Sequence, residues 1–260
     1  MKFKVLGCSG SRVPGYYTTS YLVDDHILVD GGSVVGCLDL DDQAEITDVL
    51  ISHANLDHTK DIPFLADNLL ATNMNKPEPV RLRSLPRVLD SLREHIFNDD
   101  VWPDFTSLPS PERPVLALEP LEIGQAVRLG RYNVQPFFVD HSICSCGFAI
   151  YADDPAEHVV ITGDTGLDGG WTDFLNDLPF KVENLVVEAS FPNELEELAR
   201  ASKHMTPKLL ARKLAKLKDM PTPFITHIKA PYTVTIQRQL RDALADYPYY
   251  LLNKGDRLVF

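Results

Sequence analysis

The stretch Ile51-Ser52-His53-Ala54-Asn55-Leu56-Asp57-His58 constrains this chain more than any other. Three metal-capable side chains, His53, Asp57 and His58, and one amide, Asn55, fall within six residues. The apolar run Thr47-Asp48-Val49-Leu50-Ile51 before it predicts a short buried strand, and Ile62–Leu70 after it predicts a helix. Side chains on such a strand-to-helix loop are held by rigid elements yet stay open to a cleft. Imidazole and carboxylate suit zinc, iron or manganese, and a catalytic site keeps one coordination position for water. A polar turn that uses Asn55 and Asp57 only for capping is the competing reading.

The length of 260 residues and a hydrophobic share of 44% allow a sizeable core. The formal net charge of −12 argues against a broad nucleic-acid surface, so a large nucleic acid is not an expected partner. It leaves room for a small phosphorylated substrate, because bound cations supply local positive charge. No apolar run approaches the ~20 residues of a membrane span, and no membrane partner is expected. The apolar core of Met1–Cys8 is shorter than the ~7–15 residues of a secretory signal, so it reads as the first strand of a cytoplasmic protein. Cys8, Cys37, Cys144 and Cys146 do not make a disulfide framework in a chain this long. They are expected to be small core residues, with Cys144 and Cys146 on one face of a strand.

Along the chain, Phe3–Leu6 predicts a strand, and Ser20–Val23 with Ile27–Val29 a hairpin closed by Asp24-Asp25-His26. Asp30-Gly31-Gly32 ends it in a tight turn. His26 is a turn residue in this reading, and His95 a structural one late in a helix. Helices are expected over Pro63–Met74 and Pro86–Phe97, with the strand Val80–Leu82 between them. The segment Asn98–Pro114 is a surface loop whose Trp102 and Phe105 either form a substrate lid or pack the loop down. Strands follow at Val115–Leu118, Ala126–Leu129, Tyr132–Phe138, Cys144–Tyr151 and His158–Thr162. Helices at Trp171–Asn176, Glu194–Ala201, Pro207–Lys218 and Thr233–Ala245 alternate with strands at Phe224–Thr226 and Arg257–Phe260. Neither a linker nor a repeat interrupts residues 1–260, which are expected to form one domain.

The motif His53-x-Asn55-x-Asp57-His58 resembles the His-x-His-x-Asp-His signature of the metallo-β-lactamase superfamily, with Asn in place of the second His. Three later segments resemble the other ligand motifs. They are Val139-Asp140-His141-Ser142 before Cys146-Gly147-Phe148, the strand end Thr162-Gly163-Asp164-Thr165-Gly166, and Phe224-Ile225-Thr226-His227. The resemblance implies an αββα four-layer sandwich holding one or two divalent transition-metal ions, zinc, manganese or iron. Carried over position by position, it assigns His53, Asn55 and His141 to one metal, and Asp57, His58 and His227 to the other, with Asp164 between them. An amide oxygen is neutral and binds late transition metals less well than imidazole. The first site is therefore expected to be weak, empty, or filled by a more oxygen-tolerant ion such as manganese or iron. Asp61 stands where relatives carry a small residue.

A strand-terminal Glu188-Ala189-Ser190-Phe191 and a later Ser202-Lys203-His204-Met205-Thr206-Pro207 are similar to segments of class II cyclic-nucleotide phosphodiesterases. This narrower resemblance runs from Val5 to about Leu240, and His227-Ile228-Lys229 fits it. It implies hydrolysis of a cyclic nucleotide by a metal-activated hydroxide, with Asp57, Glu188 and His204 as catalytic residues. His204, oriented by Glu188, would protonate the leaving 3′ oxygen. The competing reading is that His204 merely flanks the helix starting at Thr206-Pro207. Lys229 is either a phosphate contact or a surface lysine. The expected partner is a small phosphodiester, and a homodimer is the candidate assembly. The tRNA 3′-processing nucleases of the superfamily carry an analogous Glu and His, so an RNA-processing nuclease stands as the alternative. A metal-binding or ligand-sensing protein weakened by Asn55 is the third reading.

Overall fold

The computed structural model describes residues 1–72 and 78–260. Two sheets of seven strands lie at its centre. The first has the order Arg257–Val259, Lys2–Gly7, Ser20–Val23, Ile27–Val29, Asp48–Leu50, Val80–Ser84, Leu116–Pro120. The second runs Tyr250–Leu251, Thr222–Thr226, Asn184–Glu188, His158–Ile161, Cys146–Ala152, Tyr132–Phe138, Val127–Leu129. Apolar runs without polar alternation mark strands buried on both faces. Val159-Val160-Ile161 shows why: Val159 and Ile161 join the core shared with the first sheet, whereas Val160 joins the core beneath the helices.

Helices Trp171–Asp177, Pro207–Leu214 and Thr233–Ala243 cover the outer face of the second sheet through Trp171, Leu210, Leu214, Ile236 and Leu240. Helices Ile62–Thr72 and Pro86–His95 cover the first through Leu65, Leu69, Val88 and Leu92. The result is the αββα sandwich of the metallo-β-lactamase fold. The predicted helix over Pro63–Met74 is seen to Thr72, and its last two positions lie outside the described residues. No helix among the described residues is long and apolar enough to cross a membrane.

The hairpin lies where it was expected, at Ser20–Val23 and Ile27–Val29. Asp24-Asp25-His26 close it, with Asp24 and Asp25 at φ of 45° and 64° in the centre of a turn whose His26 N–H donates to Val23 O at 3.1 Å. His26 is exposed there, with Nδ1 3.0 Å from Glu45 O. His95 ends its helix in solvent. The loop 98–114 packs down: Phe105 is buried edge-on to Phe97, and the Trp102 indole donates to Pro63 O at 3.1 Å while its ring meets Phe64. A short pairing of Pro109–Ser110 with Arg113–Pro114 lies inside it.

The expectation for the cysteines needs correction. The strand begins at Cys146, so Cys144 sits in the preceding turn and is exposed, while Cys146 is buried. Cys8 and Cys37 are half-buried, and burial pushes the Cys8 thiol up to about 12.

The parallel strands fix where a site forms. Ile27–Val29, Asp48–Leu50 and Val80–Ser84 run parallel, as do His158–Ile161, Asn184–Glu188 and Thr222–Thr226. Their carboxyl ends deliver Asp30, His53, Asp164, Glu188 and His227 to one rim of the sandwich, the position open α/β sheets use for ligands.

Candidate metal centre

At that rim the Nε2 atom of His227 lies 3.2 Å from Asp57 Oδ2 and 3.2 Å from Asp164 Oδ2. His58 Nε2 approaches the same Asp164 oxygen at 3.4 Å, and His53 Nε2 at 3.7 Å. Among the described residues the donor atoms fall into three groups, each within 4.8 Å: Asp57-His58-Asp164-His227 and His53-His141-Asp164, which share Asp164, and Glu188-His204-His227, which shares His227 with the first. Asn55 Oδ1 lies 3.3 Å from His141 Nε2, beside the second group. Asn55 is the N-cap residue of the helix Leu56–Thr59, but its side chain makes no capping hydrogen bond. The capping explanation of that amide therefore does not apply.

Whether these residues suit a cation can be judged from their own hydrogen bonds. His53 Nε2 and His58 Nε2 are fully buried and, among the described residues, face Asp164 Oδ2 at 3.7 and 3.4 Å without meeting any partner in hydrogen-bond geometry. Buried polar atoms are normally paired, and each orphan costs about 1–3 kcal/mol. Two orphaned imidazole nitrogens facing a buried carboxylate make a donor set suited to divalent transition metals.

The other faces of the rings are tied down. Asp30 Oδ2 lies 2.7 Å from His58 Nδ1 and accepts the Ser52 hydroxyl at 2.8 Å. Ser52 Oγ is in turn 2.9 Å from His53 Nδ1. Asp30 sits at φ 56°, so the turn after the hairpin aims a buried carboxylate at the loop from the next strand. His141 Nδ1 lies 3.3 Å from Lys203 O, and Lys203 is pinned by its ion pair to Asp140 at 2.6 Å.

Beside this cluster Glu188 Oε1 meets His204 Nδ1 at 2.8 Å and accepts the Thr165 backbone N–H at 2.8 Å. The His204 ring stacks on His227 at 5.4 Å and meets His141 edge-on at 5.2 Å. His204 is thus part of the same pocket of imidazoles and not a bystander of the following helix. That helix has its own cap in the Thr206 side chain, which accepts from Leu209 N. Lys229 Nζ donates to Gly10 O at 3.3 Å and sits over the Phe191 ring. Asp61 braces the adjoining loop, accepting the Val35 N–H at 3.2 Å and pairing with Lys60 at 2.7 Å.

Charge follows these contacts. Burial, reinforced by His58, holds the His53 imidazole well below its usual range. Burial opposes a charge on His58 too, but Asp164 and Asp30 override it and raise that ring well above the usual value. Burial likewise works against the Asp164 carboxylate, yet His227, His58 and His53 keep it ionised well below the usual range. For His204, burial loses to the Glu188 carboxylate, and the ring is held above its usual value.

Three positioning groups were not singled out in the sequence: Asp30, Ser52 and Ser190. Their signals were present. Ser52 immediately precedes His53, and Ser190 follows Glu188 by the two-residue step that returns to one face of an extended chain.

Comparison with known proteins fits this site. The sequence profile described as "cAMP phosphodiesterases class-II" matches residues 41–239, a span that includes the candidate ligands from His53 to His227. The chain is 25% identical over 215 residues to 3′,5′-cyclic-nucleotide phosphodiesterase 1 of Saccharomyces cerevisiae, covering 71% of this chain but 57% of that relative's length. The crystal structure of unliganded yeast PDE1 superposes over 100% of this chain and 99% of that one, with a TM-score of 0.82 at 18% identity. The metallo-β-lactamase fold protein YhfI of Bacillus subtilis superposes over 99% and 98%, with a TM-score of 0.76 at 16% identity. With its two-sheet rim of His and Asp side chains and most of its length matched by that profile, the chain belongs to the class-II cAMP phosphodiesterase family.

Proposed function

We propose that the protein is a metal-dependent phosphodiesterase that opens a 3′,5′-cyclic nucleotide to the nucleoside monophosphate. The observation that carries this reading is the Glu188–His204 pair, 2.8 Å apart, stacked against the imidazole-carboxylate cluster. A hydrolase working only on activated acyl bonds has little need of a second, buried acid pair. An alkoxide leaving group does, because it departs poorly unless protonated.

Residues His53, Asn55 and His141 would hold one cation, Asp57, His58 and His227 another, with Asp164 shared. Zinc, manganese or iron bound there would supply Lewis acidity toward the phosphate and lower the pKa of the attacking water. The remaining chemistry belongs to the chain. Asp30 and Ser52 fix the rings of His58 and His53, so their Nε2 atoms need no reorganisation during the reaction. Glu188 occupies Nδ1 of His204 and favours its charged form, which leaves Nε2 to give a proton to the departing 3′ oxygen. The Asn55 amide, neutral where an imidazole would bind more strongly, makes the His53-Asn55-His141 site the weaker one.

We read residues 1–260 as one catalytic domain, supported by the core shared between the sheets. Four free thiols fit a reducing, cytoplasmic setting. A homodimer is the assembly to be checked by light scattering. The test of function is turnover by protein loaded with zinc, manganese or iron. The panel holds 3′,5′- and 2′,3′-cyclic nucleotides, bis(p-nitrophenyl) phosphate and a 3′-extended tRNA, with metal content measured in the same samples. Preferred cleavage of 3′,5′-cyclic nucleotides is expected. Cleavage of the tRNA alone would replace this reading by an RNA-processing nuclease, and stoichiometric metal without turnover of any substrate by a metal-binding protein. The net charge of −12 weighs against the nuclease.

A further inference from the structure

Ser190 is fully buried between the acid pair and the metal cluster. Its Oγ lies 2.5 Å from Glu188 Oε2, 2.9 Å from His227 Nδ1 and 3.5 Å from His204 Nδ1. The protons can be assigned by counting. Glu188 also accepts the backbone N–H groups of Thr165 at 2.8 Å and Met205 at 3.2 Å, and neither of those can act as an acceptor. A carboxylate surrounded by donors accepts from Ser190 as well, so the single hydroxyl proton of Ser190 goes to Glu188. The Ser190 oxygen then has only lone pairs to offer His227, and Nδ1 of His227 must carry the ring proton. Nε2 is then the ring nitrogen that faces the cluster, 3.2 Å from Asp57 and from Asp164, and the one a bound cation would take.

We propose that Ser190 is a positioning residue that fixes the metal-binding tautomer of His227 and joins it to the proton donor His204 through one carboxylate, Glu188. The first sheet repeats the arrangement: Asp30 binds His58 directly and His53 through the Ser52 hydroxyl. In each half a buried carboxylate orients two rings, one by contact and one through a serine. The second half differs in what it joins, since His204 lies outside the two donor groups that contain Asp164. One hydroxyl therefore links metal retention to the placement of the acid. The inference rests on the proposed metal centre and on His204 as the acid.

The test uses the full chain and two readouts. The first is the ring tautomer of His227 in metal-free protein, from long-range ¹H–¹⁵N NMR correlations. The second is zinc affinity, by competition with a chromophoric chelator. Wild type is expected to show Nδ1–H at His227. Ser190→Ala is expected to mix the tautomers and to weaken zinc binding ~10–100-fold, the usual cost of losing such a partner. Ser190→Thr and Ser190→Val have nearly the same shape and differ by the hydroxyl, so they remain informative if the alanine variant folds poorly. Thr is expected to restore both readouts and Val to behave as Ala. A wild-type His227 ring without a proton on Nδ1, or zinc affinity in Val within twofold of Thr, would overturn the proposal. Neither readout needs turnover. If these results hold while no cyclic nucleotide is cleaved, the reading of function fails and the role of Ser190 stands.

Discussion

In the proposed function, His204 separates chemistry from binding at the scale of one residue. Its Nδ1 is taken by Glu188, and its ring touches His227 and His141 without belonging to either Asp164-centred group. His204→Ala should therefore lower turnover of a cyclic nucleotide by ~10²–10⁴-fold, the usual range for a general acid. An activated phenolate ester needs little protonation and should be cleaved almost as fast as by wild type. Metal content should hold. Equal losses on both substrates would make His204 a binding residue, and parallel metal loss would make it a structural one. Asn55 gives the second single-residue test. Its oxygen sits 3.3 Å from His141 Nε2, at the edge of the His53-His141-Asp164 group. Asn55→His should slow the loss of zinc to a mild chelator, because imidazole is the stronger ligand. Identical release curves would remove Asn55 from the ligand set.

The loops that carry these residues are shaped by glycines at close approaches. A Cβ on Gly32 would run into the backbone oxygen of Asp57 and lie 2.8 Å from Thr18 Oγ1, so the turn after the hairpin packs directly beneath the Asp57-His58 segment. Gly32→Ala should cost about 1–3 kcal/mol of stability, as overpacking does. It should also reduce zinc affinity, because the strain is relieved by displacing Asp57. Denaturant titration together with chelator competition checks both. Loss of stability with unchanged affinity would mean that the strain is absorbed on the Thr18 side. This packing explains what could be read from the sequence and what could not. Strands ending in His53, His141, Asp164 and His227 were legible because apolar runs give way to candidate ligand residues within a few positions. Asp30 was seen only as part of a turn. Its bond to His58 spans 28 positions and depends on the parallel pairing of Ile27–Val29 with Asp48–Leu50, which no local pattern encodes. The edge strand Tyr250–Leu251 was missed because two residues carry no periodicity. Cys144 was placed on the strand because its neighbours alternate, yet pairing with Phe138 starts only at Cys146.

On the whole-molecule scale, the sheets are tied together at the end away from the candidate metal centre. The strands beginning at Asp48 and Tyr132 run from that end toward His53 and His141. There Asp24, in the turn of the first sheet, accepts the Tyr132 hydroxyl of the second at 2.5 Å and the Lys2 N–H at 2.7 Å. Arg131 reaches both Asp24 at 3.3 Å and Glu157 at 2.5 Å, and Glu157 also holds the N-terminal ammonium at 2.8 Å. Partial burial works to raise the Asp24 pKa, but the Tyr132 hydroxyl, the Lys2 amide and Arg131 together lower it below the usual carboxylate range. The folded state therefore binds the Asp24 proton less readily than the unfolded chain. Its contribution to stability is fully present above the unfolded value of about 4 and is lost as pH falls through the lower folded value. Because Arg131 is exposed and screened, the contribution is about 1 kcal/mol, carried mainly by the hydrogen bond to the charged oxygen. Asp24→Asn should thus be less stable than wild type by about that amount at pH 7, and the gap should begin to close as pH falls below about 4 and vanish below the lowered folded value. Urea titrations of metal-free protein at pH 7 and below that folded value measure it. A gap of the same size at both would assign the effect to packing around Tyr132 and not to the charge of Asp24.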